Sequence, residues 1–379
     1  MPQPLEPPRQ IGAAERHGPI LTPVCGGSGS GVLFWYGAPH VAVAENSRRY
    51  RIANRLQVLP AARSVVSRTI PEDMLAGVHT VVSLRPFVDS VALRQIARLR
   101  GVGIRLVADY DDLLFDCPPS DFPGADYLLR RLRIARRLET YRSSVHHFDA
   151  FTTSTWPIAH ALRAIRPDAA ISVVPNQPSP AWVARGWARY GACAWKPGDA
   201  RIVRYLPGSP SHDRDFAMIE EALIAFLHLH TDVELEVVGY LKFHQRSFPP
   251  GRVRHLPKVD YELFPKVLLS TWINLVPLAP TVYSQARSAL KLLEAAAFGV
   301  PSIATPSTDH ARTAELPSPI HFAHTPAEWL EALDAAHRAT PTDLATLRHV
   351  RVASEVSATW STAESIGALV GPSAGGALG

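Results

Sequence analysis

Cysteine is almost absent from this chain: Cys25, Cys117 and Cys193 are the three in 379 residues. Odd in number and far apart, they exclude a disulfide framework and the paired spacing of a zinc site, and they predict a reducing, cytoplasmic setting. Long hydrophobic runs are missing too. No stretch reaches the ~18 apolar residues that a membrane span needs, and the Pro-rich, polar segment 1–23 lacks the apolar core of a secretory signal. Any membrane contact is therefore expected to be peripheral. Charge is only mildly one-sided. Lys and Arg number 39 against 34 for Asp and Glu, a net charge of +5. That argues only weakly for nucleic acid, and it also suits an anionic diphosphate ligand or an acidic membrane surface.

What is present is the composition of a folded protein, with 46% hydrophobic and 19% charged residues. A chain of 379 residues is too long for one ordinary core and fits two domains. After a tail at 1–23, apolar strand-like runs at 32–36, 79–84, 104–108, 150–154 and 171–174 alternate with helical periodicity at 47–59, 91–99 and 127–141. This defines a first domain at 24–180. Periodicity then dissolves into Pro, Trp, Gly and Ala, which predicts a linker at 181–200. A second alternation runs through 201–355, with strands at 202–206, 234–238, 253–256, 272–276 and 302–305. Its helices are predicted at 213–229, 261–270, 284–298, 326–338 and 343–352, and 356–379 reads as a closing segment and loose tail. The fold class that follows is α/β, two Rossmann-like doubly wound domains facing a central cleft at their strand ends.

The helix predicted at 284–298 carries the sharpest signal. At 100° per residue, Arg287, Lys291 and Glu294 fall within an arc of about 60°, while Leu290, Leu293 and Ala297 cover a neighbouring arc. Gly299 and Pro301 then end the helix and open a strand. A solvated face with ordinary ion pairing would give the same pattern. The whole string, SQARSALKLLEAAAFGVPSIATP, resembles the donor-site segment of retaining glycosyltransferases with the GT-B fold, family 4 in particular. The resemblance implies that Glu294 holds the ribose of a nucleotide-sugar donor, and that Lys291 and Arg287, with Ser288, face its diphosphate. In the family a second Glu often stands eight positions before the ribose-binding one; here that position is Ala286.

The loop after the strand at 202–206 runs Pro207, Gly208, Ser209, Pro210, Ser211, His212, Asp213, Arg214, Asp215, Phe216. Glycine permits close backbone approach, and free N–H groups at a helix start attract phosphate. Simple capping by Ser211 or Asp213 is the plainer reading. The string looks like the G-S-x-x-H-x-x-D-F segment of a subset of family 4. That implies donor-binding roles for Gly208, Ser209 and Arg214, and contact with donor or acceptor, as a catalytic candidate, for His212.

The strand at 104–108 ends in Asp109, Tyr110, Asp111 and Asp112. Asp-x-Asp spacing suits a divalent ion bridging a diphosphate, so a metal-dependent transferase using Asp109 and Asp111 is one alternative. The run also resembles the D-x-D-D-x-x-F-D segment of the first domain of the same family. There it would line the acceptor side of the cleft, with Asp112 a catalytic candidate, or hold a loop. No metal and no cofactor besides the donor substrate are expected. Arg48, Arg49, Tyr50 and Arg51 open a first-domain helix and read either as a solvated basic end or as a greeting for an acidic acceptor. Asn274 to Leu278 looks like the family's N-L-x-P-L loop. The expected partner is a nucleotide-sugar donor, with a carbohydrate, lipid or protein acceptor left open and no nucleic acid. Ala286 keeps a second alternative in play, a nucleotide-sugar-binding module without turnover.

Overall fold

A computed structural model of the chain describes residues 31–37, 45–59, 61–122, 128–190, 198–208, 212–313 and 320–339. Among them are two six-stranded sheets, every pairing parallel. The first contains β1 (Val32–Tyr36), β2 (Arg63–Val66), β3 (Thr80–Leu84), β4 (Arg105–Tyr110), β5 (Ala150–Thr153) and β6 (Ala170–Val173), in the order β2-β1-β3-β4-β5-β6. The second contains β7 (Arg201–Tyr205), β8 (Val233–Val238), β9 (Val253–Leu256), β10 (Ile273–Val276), β11 (Ser302–Ala304) and β12 (Ile320–Phe322), in the order β12-β11-β10-β7-β8-β9.

A parallel strand covered on both faces must be apolar on both, and β1 shows how the alternation divides its residues. Leu33 and Trp35 enter one core cluster with Val81, Leu106, Ala108 and Tyr110. Val32, Phe34 and Tyr36 enter the opposite one with Val82, Leu84 and Val107. In the second domain Val203, Tyr205, Leu235, Val237, Ile273, Leu275 and Ile303 gather on one face. Because all strands in a sheet are parallel, their C-terminal ends share one edge. Strand order reverses direction between β1 and β3 and between β7 and β10, and these switch points are where open α/β sheets leave a crevice.

Several predicted elements divide. The segment predicted as one helix at 47–59 forms Glu45–Arg48, a π-helical turn Arg49–Ala53, and Asn54–Val58. The predicted helix at 213–229 breaks into Asp213–Ala217 and Glu220–Leu229. The predicted helix at 284–298 breaks into Val282–Gln285 and Leu290–Ala297. Tertiary bonds cause this last break. The Ala286 carbonyl accepts from Thr155 Oγ1 at 2.9 Å, and the Ala289 N–H donates to Asp309 Oδ2 at 2.7 Å. Both groups are thereby withdrawn from the i to i+4 ladder that a continuous helix needs. At the far end the prediction holds: Gly299, at φ +69°, follows the helix, and the Val300 N–H returns to the Ala295 carbonyl.

Within the predicted linker at 181–200, the first half is the helix Pro180–Tyr190, where no helical periodicity is predicted. Trp182, Val183 and Trp187 recur at helical spacing and bury against Phe298 and Leu268 in one cluster. Trp182 stacks on Tyr261 at 4.5 Å. The tails at 1–23 and 356–379 and the predicted helix at 343–352 lie outside the described residues. No described helix is long and apolar enough to cross a membrane.

Candidate functional site

The second-domain switch point brings the predicted residues together. The loop after β7 delivers His212 and Asp215, three apart on one side of a short helix, and the loop after β10 lies against them: the Ala279 N–H donates to Asp215 Oδ1 at 2.8 Å. Gly239, at φ +132°, lets the end of β8 approach the β7 loop, since a Cβ there would lie 2.2 Å from the Pro207 carbonyl oxygen. Asp215 Oδ2 is 2.9 Å from His212 Nδ1 and 3.3 Å from an Arg287 Nη, and that same Nη is 3.1 Å from His212 Nδ1. Burial, reinforced by the positive charges of Lys291 and Arg287, pushes the His212 imidazole down to about 3. His212 is therefore neutral at physiological pH. It orders Arg287 and offers a hydrogen bond, but it is a weak proton acceptor.

Arg287 lies in the turn before the helix Leu290–Ala297, yet its guanidinium still converges with the side chain of Lys291 on the first turn of that helix. Lys291 has no hydrogen bond or ion pair among the described residues; its ammonium lies 5.7 Å from the centre of the Tyr205 ring. Burial and the neighbouring Arg287 lower it to about 7. Glu294, one turn on, is 5% exposed, and burial raises its carboxyl to about 7 against the opposing pull of Tyr50 and Lys291. A 5% exposed glutamate rules out the solvated-face alternative for this helix. Its carboxylate Oε1 accepts from the Tyr50 hydroxyl of the first domain at 2.6 Å.

Other predicted residues meet the first domain. Ser288 Oγ accepts from Asn176 Nδ2 at 3.1 Å. Arg214 is exposed and donates to the Ser120 carbonyl at 2.7 Å. A Cβ on Gly208 would come within 3.8 Å of Asn46 Nδ2, so the loop after β7 faces the first domain closely. Ser209 lies outside the described residues. Ala286 is 2% exposed and, with Tyr283, packs into the first domain's apolar cluster, where a glutamate would bury an unpartnered charge.

The acidic run is occupied by arginines. Asp109 accepts from Arg51 Nε at 2.9 Å and Nη2 at 2.5 Å, and from Thr152 Oγ1 at 2.6 Å. Arg51 is fully buried and also donates to the Val174 carbonyl at 2.5 Å, which overturns the solvated basic helix end. Asp111 and Asp112 share Arg85, each at 2.5 Å. Arg85 holds a left-handed φ of +44° directly after β3, a strained conformation for a residue with a Cβ, and its guanidinium bridges the two carboxylates from there. Burial and neighbouring Asp111 raise the Asp112 carboxyl despite Arg85.

Sequence reasoning did not single out Tyr50's role, Asp309, Tyr283 or the orienting function of Asp215. His-x-x-Asp spacing at the start of a helix was the available signal for the last of these.

No family model matches the chain, and no curated protein matches it. Solved structures do, at low identity. Anabaena HepE in complex with UDP and glucose is 12% identical, with 86% of this chain and 94% of that one covered and a TM-score of 0.53. Trehalose-6-phosphate synthase OtsA is 12% identical over 87% of this chain and 97% of that one, at 0.56. The α,α-trehalose-6-phosphate synthase of Burkholderia multivorans is 10% identical over 86% and 95%, at 0.54. The two parallel sheets and these neighbours establish the fold as the two-domain, Rossmann-like GT-B architecture.

Proposed function

We propose that this chain is a glycosyltransferase that takes a nucleoside diphosphate sugar into the cleft and transfers the sugar with retention of configuration, in the manner of family 4. One observation carries the reading. Half-buried Lys291, without a direct ion pair among the described residues, stands beside Arg287 at the strand-order switch point, with the buried carboxylate of Glu294 one turn away. Like charges crowded together in a partly desolvated crevice are unfavourable alone and favourable around an anion. A diphosphate supplies that anion, and Glu294 supplies an acceptor for ribose hydroxyls. The GT-B neighbours include HepE solved with UDP-glucose, which supports a donor of this class.

In this reading Arg287 and Lys291 stabilise the charge that develops on the departing diphosphate, so no metal is required. The carboxylates of Asp109 and Asp111, the residues of the metal-dependent alternative, are committed to Arg51 and Arg85. His212 fixes Arg287 and presents a neutral nitrogen to donor or acceptor. Asp112 lines the acceptor side of the cleft, held by Arg85. A nucleotide-sugar-binding module without turnover has one observation in its favour: Ala286, where the family often has a second carboxylate, is packed into apolar surroundings.

Calorimetric titration with UDP, GDP and ADP, followed by donor hydrolysis assays with and without excess chelator, tests the reading. We expect one of the three to bind and its sugar conjugates to be hydrolysed slowly whether or not chelator is present. Failure of all three to bind would sink the donor site, and loss of activity in chelator would restore the metal-dependent alternative. Binding without any hydrolysis would favour the module.

A further inference from the structure

The carboxylate assigned to the donor is already engaged. Among the described residues, the hydrogen-bond partner of Glu294 is Tyr50, at 2.6 Å, and the two are 244 positions apart in the chain and belong to different domains. The Tyr50 ring stands edge-on to Tyr261 at 6.0 Å, and the Arg49 guanidinium lies 4.1 Å from the centre of the same Tyr261 ring. Tyr261 in turn is stacked on Trp182. The space beside Glu294 is thus filled by first-domain side chains resting on a second-domain aromatic floor.

Tyr50 sits in the π-helical turn Arg49–Ala53, an uncommon geometry that recurs at functional sites. The next residue, Arg51, pins that turn to the first-domain core through Asp109, the Val174 carbonyl and Asn176. With its neighbour fixed this firmly, Tyr50 is carried by the first domain as a rigid body, and its bond to Glu294 joins the other contacts that bridge the two domains across the cleft.

We propose that Tyr50 is a latch that occupies the ribose place on Glu294 in the unliganded protein, so that a nucleoside diphosphate enters only after this interdomain contact opens. The inference rests on the donor reading above and adds to it a self-occluded resting state. A hydroxyl donating to a carboxylate is the same chemistry that a ribose hydroxyl brings, so Tyr50 and nucleotide compete for one acceptor. Contact opening then becomes part of the apparent affinity, which is reduced by the fraction of molecules that are latched.

The test is calorimetric titration of the full chain, Tyr50→Phe and Tyr50→Ala with UDP, GDP and ADP. Tyr50→Phe removes the hydrogen bond and keeps the ring on Tyr261; Tyr50→Ala removes both. The expected result is tighter binding by about tenfold or more in Tyr50→Phe, the size of one hydrogen bond to a charged group that no longer has to be broken. The same gain appears in Tyr50→Ala if the ring is the larger obstacle. Wild-type binding with equal or weaker affinity in both variants would overturn the latch and leave the donor site standing. Failure of all three proteins to bind any of the nucleotides would remove the donor reading and the latch together.

Discussion

At the strand ends of the first sheet each carboxylate meets a guanidinium: Asp109 meets Arg51, and Asp111 and Asp112 meet Arg85. At the strand ends of the second sheet Arg287, Lys291 and His212 crowd around the carboxylate of Asp215, and Lys291 makes no ion pair among the described residues. Burial acts on both clusters, and its outcome differs between Asp109 and the pair Lys291 and Glu294. Asp109 is buried and yet held below its ordinary value, because Arg51, Arg55 and Thr152 outweigh the desolvation that would raise it. Lys291 is pushed down to about 7 and Glu294 up to about 7, because nothing comparable offsets their burial. Charge that is matched on the spot serves as scaffold. Charge kept in excess is, on the proposed reading, there for a ligand.

The comparison predicts that the two clusters respond differently to substitution, and the largest effect belongs to the scaffold. Arg51→Met leaves Asp109 buried without its main partner and should cost about 3–5 kcal/mol of stability, the range for breaking one side of a buried ion pair. A denaturant melt reads this directly. The double variant Arg51→Met/Asp109→Leu removes both charges and should recover much of the loss. If the single variant melts like the wild type, the pairing is not what holds the strand ends.

Lys291→Met should do the reverse. Removing a desolvated ammonium that lacks a partner leaves stability unchanged or raised. Removing the cation that a diphosphate needs should weaken nucleotide binding by about 10- to 100-fold, the worth of a charge-assisted hydrogen bond. Melting and calorimetry on one preparation separate the two readouts. A destabilised variant with intact affinity would place Lys291 in the scaffold and erase the distinction.

Local pattern explains which half of this was legible from the chain. Parallel α/β architecture follows from strand-length apolar runs alternating with helical periodicity, and ten of the twelve strands fall on predicted runs. The two that were missed, Arg63–Val66 and Ile320–Phe322, are short strands at sheet edges, where one flank is unpaired and the apolar signal is weak. Helix Pro180–Tyr190 hid among Pro, Gly and Trp because its stability comes from packing on Phe298 and Tyr261, not from propensity. At the site, Lys291 and Glu294 were readable because three-residue spacing on a helix is a local fact. The break that frees Arg287 was not, since Thr155 and Asp309 impose it from 131 and 20 positions away. Arg51 and Arg85 could not be assigned to the acidic run for the same reason: their partners lie 58 and 26 positions on, and only the fold joins them.

The smallest expected effect is also the one that distinguishes the clusters most finely. Consider binding of a nucleoside diphosphate sugar, whose phosphate groups do not titrate near neutrality. The diphosphate favours charged Lys291, so binding raises that group above about 7, and affinity falls as pH rises through and beyond this value. The ribose favours ionised Glu294, so binding lowers that group below about 7, and affinity falls as pH drops through it. The two limbs meet in a bell with its maximum near pH 7, and each falls by up to about tenfold per unit on its own side. Lys291→Met should flatten the alkaline limb and Glu294→Gln the acid one, each leaving the other limb in place. Asp109, whose carboxyl is held low by Arg51, stays ionised across the whole range and contributes neither limb. A bell that survives both substitutions unchanged would mean that the titrating groups belong to another part of the cleft, and the contrast between matched and excess charge would have to be redrawn around them.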